Sequence, residues 1–161
     1  GFTLIEQPFS EKQNKLSALA QKTMKTPFAL DESIASIQDV QEMIDQQSGK
    51  IIVMKQGRVG GLSNALRIHE NCVKADVPIW VCGMIEFGVS KAFNIAFASL
   101  PGVKYPGDFS SSNHFWDYDL CEPTIDVQHG EILIPTTPGV GVKLNHKLVE
   151  QYEVRRKLFN A

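Results

Sequence analysis

Four short apolar runs punctuate the first part of the chain: "FTLIEQP", "PFALDES", "KIIVMKQG" and "PIWVCGM". Each is nearly continuous rather than alternating, the pattern of strands covered on both faces. Between them, apolar positions recur at helical spacing. The first helix opens on a capping-box pattern, Ser10 with Gln13, and turns Leu16, Leu19 and Ala20 inward. A second starts at about Ser36, with Ile37, Val40 and Ile44 as its stripe. A third follows Gly60-Gly61 and points Leu62, Ala65, Leu66, Cys72 and Val73 inward, with His69 on the same stripe as a core histidine rather than a ligand. The fourth carries Val89, Ala92, Phe93, Ala96, Phe97 and Leu100, and Trp80 and Phe93 read as core.

Apolar strands alternating with amphipathic helices predict βα units and a parallel sheet covered on both faces. Glu6, Asp31, Lys55 and Cys82 end the four runs at intervals of 25, 24 and 27 residues. So short a period suits a TIM-type barrel better than an open sheet, yet such a barrel needs eight strands and typically ~250 residues. The expected architecture is therefore α/β, the second half of a barrel over residues 1–130, then a strand, turn and helix tail over 131–161. Beyond Leu100 the pattern loosens into "PGVKYPGDFSSSNHFWDYDL", followed by strand-like "GEILIP". Asp108 and Asp119 in that stretch read as caps or turn residues. "GVG" at 139–141 reads as a plain turn, since no third glycine or GK[ST] follows. The charged end "KLVEQYEVRRKLFNA" reads as a solvated helix. Two open edge strands would invite pairing, with a missing half or with a second copy. The chain begins in strand-like sequence without an initiator Met, so upstream sequence is expected to be missing.

Composition narrows the class of partner. The chain has 161 residues, 43% hydrophobic and 21% charged, with a formal net charge of -2. That balance leaves no electrostatic footprint for nucleic acid or an anionic membrane. No apolar run approaches the ~20 residues of a membrane span. Cys72, Cys82 and Cys121 are odd in number and widely spaced, which fits reduced thiols and a cytoplasmic setting. His69, His114, His129 and His146 show no zinc-ligand spacing.

The chemistry gathers at the strand ends, where barrels of this kind carry their catalytic groups. On strands roughly 5 Å apart, Glu6, Asp31 and Lys55 converge on one rim, with Glu32 beside them. Taken singly, each reads as a cap or loop-edge residue, with Lys55 reaching to water. Three in matching phase point to a site. Two nearby carboxylates repel unless a cation lies between them. Oxygen ligands suit Mg²⁺, with Mn²⁺ as a substitute. A buried lysine beside such a cation is tuned toward general-base work.

These residues carry a resemblance. "LIEQP", "TPFALDESI", "IIVMKQGRVGGL", "VCGMIEFGVSKAFNIAFASLP" and "PGDFSSSNHFW" resemble the C-terminal barrel half of the enolase superfamily. More narrowly they resemble its o-succinylbenzoate synthases and N-succinylamino acid racemases, from about residue 3 to residue 143. The resemblance implies a (β/α)7β barrel and makes Glu6 and Asp31 the second and third of three Mg²⁺ ligands. It makes Lys55 the lysine on the far face of a small carboxylate substrate. The implied chemistry is removal of a proton α to a carboxylate, with the metal stabilising an enediolate. In the synthase, another lysine on an earlier strand removes the proton and Lys55 stabilises the intermediate as a cation. In racemase relatives the lysine matching Lys55 is itself a base. Gly83 and Met84 match the segment lining the substrate's succinyl side, and Arg58 stands close to Lys55. Glu32 and Glu86 are candidates for hydrogen-bonding support. A first-turn helix carboxylate remains an equal reading of Glu86.

The chain departs from the family at several points. Gln56 stands where many relatives have proline, Val81-Cys82-Gly83-Met84 replaces Cys-Gly-Gly-Met or similar, and Ser90-Lys91 replaces Gly-Arg. These bear on substrate preference. The larger departure is absence, because the family's KxK motif, its first metal aspartate and its capping domain all lie upstream of Glu6. The tail after about Glu131 is expected to pack on the barrel or on that capping domain. Two readings result. One is a Mg²⁺-dependent synthase making 2-succinylbenzoate for menaquinone synthesis, present as a part inactive alone, with N-succinylamino acid racemisation or dipeptide epimerisation as alternatives. The other is a non-catalytic half-barrel that functions only with a partner chain.

Overall fold

The computed structural model describes residues 1–159. Its framework is a parallel sheet in the order β1 (Ile5–Glu6), β2 (Phe28–Leu30), β3 (Ile51–Met54) and β4 (Ile79–Val81). One helix follows each strand: α1 (Asn14–Thr23), α2 (Ile37–Gln46), α3 (Leu62–Lys74) and α4 (Gly88–Ala98). A 3-10 turn at Ser112–His114, an antiparallel pair of β5 (Cys121–Glu122) with β6 (Lys143–Leu144), and α5 (His146–Tyr152) follow. Parallel neighbours in sequence order, each joined by a crossover helix, form the expected C-terminal part of a TIM-like barrel.

Register divides the sheet into two faces. Glu6 pairs with Ala29, Ala29 with Ile51, and Val53 with Trp80. Because side chains alternate along a strand, Glu6, Ala29, Asp31, Ile51, Val53, Lys55, Trp80 and Cys82 share one face. The opposite face presents Phe28, Leu30, Ile52, Met54, Ile79 and Val81 to the helices, where they form the main core with Val40, Met43, Ile68, Cys72 and Phe97. The first face holds only a small cluster of Ala29, Ile51, Val53 and Cys82, flanked by Leu4, Trp80 and Tyr105. The apolar runs are continuous because both faces are covered up to the point where the acids and the lysine begin.

A fifth rung extends the sheet beyond the four strands legible in sequence. The Lys104 amide donates to the Ile79 carbonyl at 3.2 Å and the Asp108 amide to Val81 at 3.1 Å. Asp108 bridges Cys82 in parallel, so it stands at the strand-end level of Lys55 rather than in a turn. Pro106 and Gly107 interrupt this segment and erase its strand pattern.

Several inward faces differ from expectation. In α1 the buried residues are Ser17, Ala18 and Gln21, while Leu16 and Leu19 are exposed. The polar residues are inside because they satisfy backbone: the Gln21 side chain accepts from the Phe28 amide at 2.7 Å, and Ser17 Oγ donates to the Ser48 carbonyl at 2.6 Å. The helix starts at Asn14, and Ser10 is not its cap; only the reverse half of the box forms, the Ser10 amide donating to Gln13 Oε1 at 3.2 Å. Ser36 does cap α2, accepting from the Asp39 amide at 3.2 Å. Leu62, Leu66, Val73 and Phe93 are exposed rather than core, because Ala65, Ile68 and Cys72 in α3 and Lys91, Asn94 and Ile95 in α4 take the inner positions. His69 is a packing residue, edge-on to Phe97 at 5.8 Å with Nε2 2.5 Å from the Pro101 carbonyl. Residues of "GEILIP" form no strand, and Leu133 is exposed; the C-terminal helix, α5, ends at Tyr152 instead of continuing through the charged end, of which residues 160–161 lie outside the described residues.

Asp119 anchors this later segment to the barrel. Its carboxylate accepts the Gly88 amide at 2.9 Å, where α4 begins. A Cβ at Gly88 would lie 2.3 Å from Cys121 Sγ and 2.8 Å from Asp119 Oδ2, so only glycine allows the approach. Burial pushes the Asp119 carboxyl up, but hydrogen bonds from Ser112, the Gly88 amide, Cys121 and the Leu120 amide outweigh it and hold the group below its ordinary value. A lowered carboxyl stabilises the fold above its unfolded value of 3.8 and loses that contribution as pH falls through the lower folded value. Asp119→Asn is therefore expected to destabilise at pH 7, with the gap from wild type closing below pH 3.8. Urea titrations at several pH values check this; a gap unchanged across acid pH would contradict it.

Candidate active site

The rim forms where the inner face runs out of apolar residues. β2 ends at Leu30, and the next residue, Asp31, is buried to 3% exposure. β3 ends at Met54, and Lys55 reaches across to Asp31 Oδ2 at 2.6 Å. Arg58, one turn further, donates to the Asp31 carbonyl at 2.8 Å and pairs with the other carboxylate oxygen, Oδ1. The acidic partner that a lysine at the end of a buried strand needs is thus Asp31. Each of its oxygens meets one cation.

Glu6 lies on the same face at the edge of the sheet and is exposed. Burial first, and then the charge of Asp31, raise its carboxyl above the ordinary value; Lys55 opposes this, and Glu32 and Asp108 add to it. Glu32 is exposed beside Asp31, within electrostatic range of Glu6. Cys82 sits below the rim; burial, with Glu6 and Asp108 adding, pushes its thiol up to about 12. It is therefore a neutral thiol at pH 7 and no nucleophile.

The next loop carries Gly83, half-buried, and Met84, 57% exposed. A Cβ on Gly83 would stand 3.1 Å from Glu86 Oε1 and 3.2 Å from the Asp108 carbonyl, a gap that glycine keeps open. Glu86 precedes α4 and accepts from Asn94 Nδ2 at 3.1 Å and from Ser90 Oγ. It is tied to the helix rather than aimed at Lys55.

Three contributors escaped sequence reasoning. Gln56, buried next to Lys55, donates to the Phe93 carbonyl at 2.9 Å and to Asn94 Oδ1 at 3.1 Å, and Asn94 then holds Glu86. The lysine loop and the Gly83–Met84 loop are thereby joined through α4. Gln7 bonds across to the turn after β2. Asp108 completes the acidic rim. A glutamine at a strand end beside an acidic residue was the available signal for Gln7; Gln56 and Asp108 had none, since their partners are distant in sequence.

The donor set suits a hard cation. Both carboxylates offer oxygen only, and Asp31 retains acceptor capacity beyond the two bonds it makes. Burial raises the Glu6 carboxyl most, and the charge of Asp31 adds to it; that second part is repulsion a shared cation would relieve. Among the described residues no three potential ligands cluster closely enough to hold a metal by themselves. Mg²⁺ characteristically takes one or two carboxylates plus water and substrate, so two from this chain fit as part of a ligand set. Two clefts of about 810 and 1010 Å³ lie elsewhere, at the N-terminal ends of β2–β4 and under residues 122–143, and neither is lined by Glu6, Asp31 or Lys55. The rim itself is open on one side, because β1 is an edge strand.

Carboxylates and a lysine share the inner face at the C-terminal ends of parallel βα strands, and that defines the class: a βα barrel with polar groups gathered at its rim. The family described as "Enolase C-terminal domain-like" matches residues 1–148, and the chain belongs to it, within the enolase superfamily. An o-succinylbenzoate synthase from Geobacillus kaustophilus is 42% identical over 160 residues, 99% of this chain and 43% of that protein. An N-succinylamino acid racemase from Amycolatopsis sp is 39% identical, over 94% of this chain and 41% of that protein. The crystal structure of an enolase-superfamily protein from Listeria innocua superposes with a TM-score of 0.88 at 40% identity, covering 94% of this chain and 41% of that one. The chain thus spans less than half the length of the relatives it matches.

Asp31→Asn should leave Lys55 and Arg58 facing each other without a counter-charge. In the absence of divalent cations it is expected to cost about 3 kcal/mol of stability, as for a broken, largely buried pair. Adding Lys55→Met should recover part of that loss. Urea unfolding of the single and double variants checks it; a double variant less stable than the single would contradict it.

Proposed function

We propose that this chain is the second barrel half of a Mg²⁺-dependent o-succinylbenzoate synthase, which dehydrates a small carboxylate substrate to 2-succinylbenzoate for menaquinone synthesis. The observation that carries this reading is the meeting of Asp31 and Lys55, from separate strands, on the face that also bears Glu6. Sequence identity of 42% to a protein of that name supports it. Glu6 and Asp31 would hold the cation; bound there, Mg²⁺ supplies positive charge against the negative charge that develops on a carboxylate when its α-proton leaves. Lys55 pairs with Asp31 in this structure, and a cation held by Asp31 would free the lysine amine to face the substrate from the opposite side. Arg58 fixes the Asp31 backbone and carboxylate together, so the ligand cannot swing away from the rim. Gly83 leaves room for the chain of the substrate and Met84 gives it an adaptable apolar wall. Glu32 adds negative charge beside the ligands, and Glu86 shapes the Gly83 loop through Asn94.

N-succinylamino acid racemisation is the second reading, favoured by the 39% identity to a racemase over nearly the same span. There Lys55 would exchange a proton with the α-carbon rather than only stabilise charge. In either reading the residues of this chain supply half a site. The remaining ligand, the second lysine and a cap over the rim would come from the length that relatives have and this chain lacks, and the chain alone would be inactive. The setting proposed is the cytoplasm.

The test is turnover of the synthase substrate by the full-length protein with Mg²⁺. Lys55→Ala should lower kcat by about 10²–10⁴-fold, the usual range for a positioned proton-handling group, while circular dichroism stays native. The 161-residue chain alone should give no turnover. An active Lys55→Ala protein, or an active isolated chain, would overturn the reading.

A further inference from the structure

We infer that Gln7 is the positioning residue of the carboxylate pair: its side chain sets where Asp31 stands relative to Glu6, and so sets the affinity of the rim for a divalent cation. The inference rests on the metal reading proposed above and names a residue that the reading does not use.

The ladder between β1 and β2 runs one step past the strand. The Gln7 amide donates to the Ala29 carbonyl at 2.9 Å, as a regular parallel rung does. The next rung in such a ladder would run from the Asp31 amide to the Gln7 backbone carbonyl. Here the Asp31 amide donates to the Gln7 side chain instead, at Oε1, 2.7 Å away. The side chain has replaced the backbone in the last rung.

That replacement lets the chain leave the sheet immediately after Glu6. Gln7 has a φ of 34°, in the left-handed region that a residue with a Cβ rarely adopts. Strain of this kind persists only where surrounding bonds over-determine it. The bonds are present. Oε1 also accepts the Ser33 amide at 3.3 Å, and Nε2 donates to Ser33 Oγ and to the Phe9 carbonyl, each at 2.8 Å. One amide thus uses both its acceptor and its donor capacity on the turn after β2 and on its own loop.

The result is a brace between two carboxylates 25 residues apart in sequence. Glu6 is bonded covalently to Gln7, and Asp31 is held by its amide to the same side chain. Lys55 and Arg58 hold the other end of Asp31, at the carboxylate, so the residue is fixed from both sides. Partners that orient metal ligands in this way typically govern affinity by 10–100-fold. Glutamine suits the task because it both accepts and donates. Leucine would fill the space without satisfying the Asp31 amide, and alanine would leave that amide and the left-handed backbone unsupported.

The experiment is Mn²⁺ binding by the full-length protein, followed by electron paramagnetic resonance of the free ion without substrate, so that no turnover is required. Gln7→Ala and the milder Gln7→Asn, one carbon too short to reach Asp31, should each weaken Mn²⁺ binding about tenfold or more. Val40→Ala, a cavity in α2 remote from the rim, should lower the melting temperature and leave Mn²⁺ affinity within about twofold; it separates ligand positioning from loss of stability. Folded Gln7→Asn protein with wild-type Mn²⁺ affinity would overturn the inference. Wild-type protein that binds no Mn²⁺ would overturn the metal reading itself, and the inference with it.

Discussion

The carboxylate of Asp31 is the constraint on which the rest of the rim depends. It is almost wholly removed from water, and a buried charge of that kind is costly unless paired and hydrogen-bonded. Lys55 and Arg58 answer it from the loop after β3, one on each oxygen. Lys55, just past the end of an apolar strand, takes from Asp31 the counter-charge that a largely buried ammonium needs, and Arg58 shares it from the following turn. The three residues therefore stand or fall together, which ties the loop after β3 to the end of β2 and gives the rim a defined shape before any ligand arrives. That is preorganisation in its plain sense, since the fold has already met the cost of bringing these charges together.

Parity of the strands puts the chemistry on one side. Once Glu6 pairs with Ala29, alternation sends Asp31, Lys55 and Cys82 to the same face, away from the helices. The helices meanwhile do more than cover apolar surface. Gln21 of α1 and Asn94 of α4 use buried amides to satisfy backbone or fix a loop, and Asp119 does the same for the start of α4. The amides of Gln21 and Asn94 are engaged through both oxygen and nitrogen, which is the condition under which buried polar groups specify a structure rather than weaken it. A sheet open at β1 can carry such a rim only on one side, and that agrees with a chain covering 43% of a relative.

Much of this was legible in the sequence. The alternation of apolar runs and helical stripes located the strands and helices, and the common phase of Glu6, Asp31 and Lys55 placed them at one rim. Helix faces were less legible, as α1 shows: Leu16 and Leu19 look inward by hydrophobicity, but Ser17 and Gln21 are inside because backbone needed partners there. Asp108 looked like a turn residue because Pro106 and Gly107 hide a strand that is defined by its bonds to β4. Gln56 acts through a partner 38 residues away, which no local pattern encodes; Gln7, at a strand end beside Glu6, carried a local signal, but its partner lies 24 residues away.

The central claim is that Glu6 and Asp31 share a cation opposite Lys55. Crystals of the full-length protein grown with Mn²⁺ test it directly through anomalous scattering. The account predicts one strong peak at about 2.0–2.2 Å from a carboxylate oxygen of each residue, the distance expected near that of Mg²⁺, with the Lys55 amine facing it across the rim. No peak there, with Asp31 still taken up by Lys55 and Arg58, would contradict it.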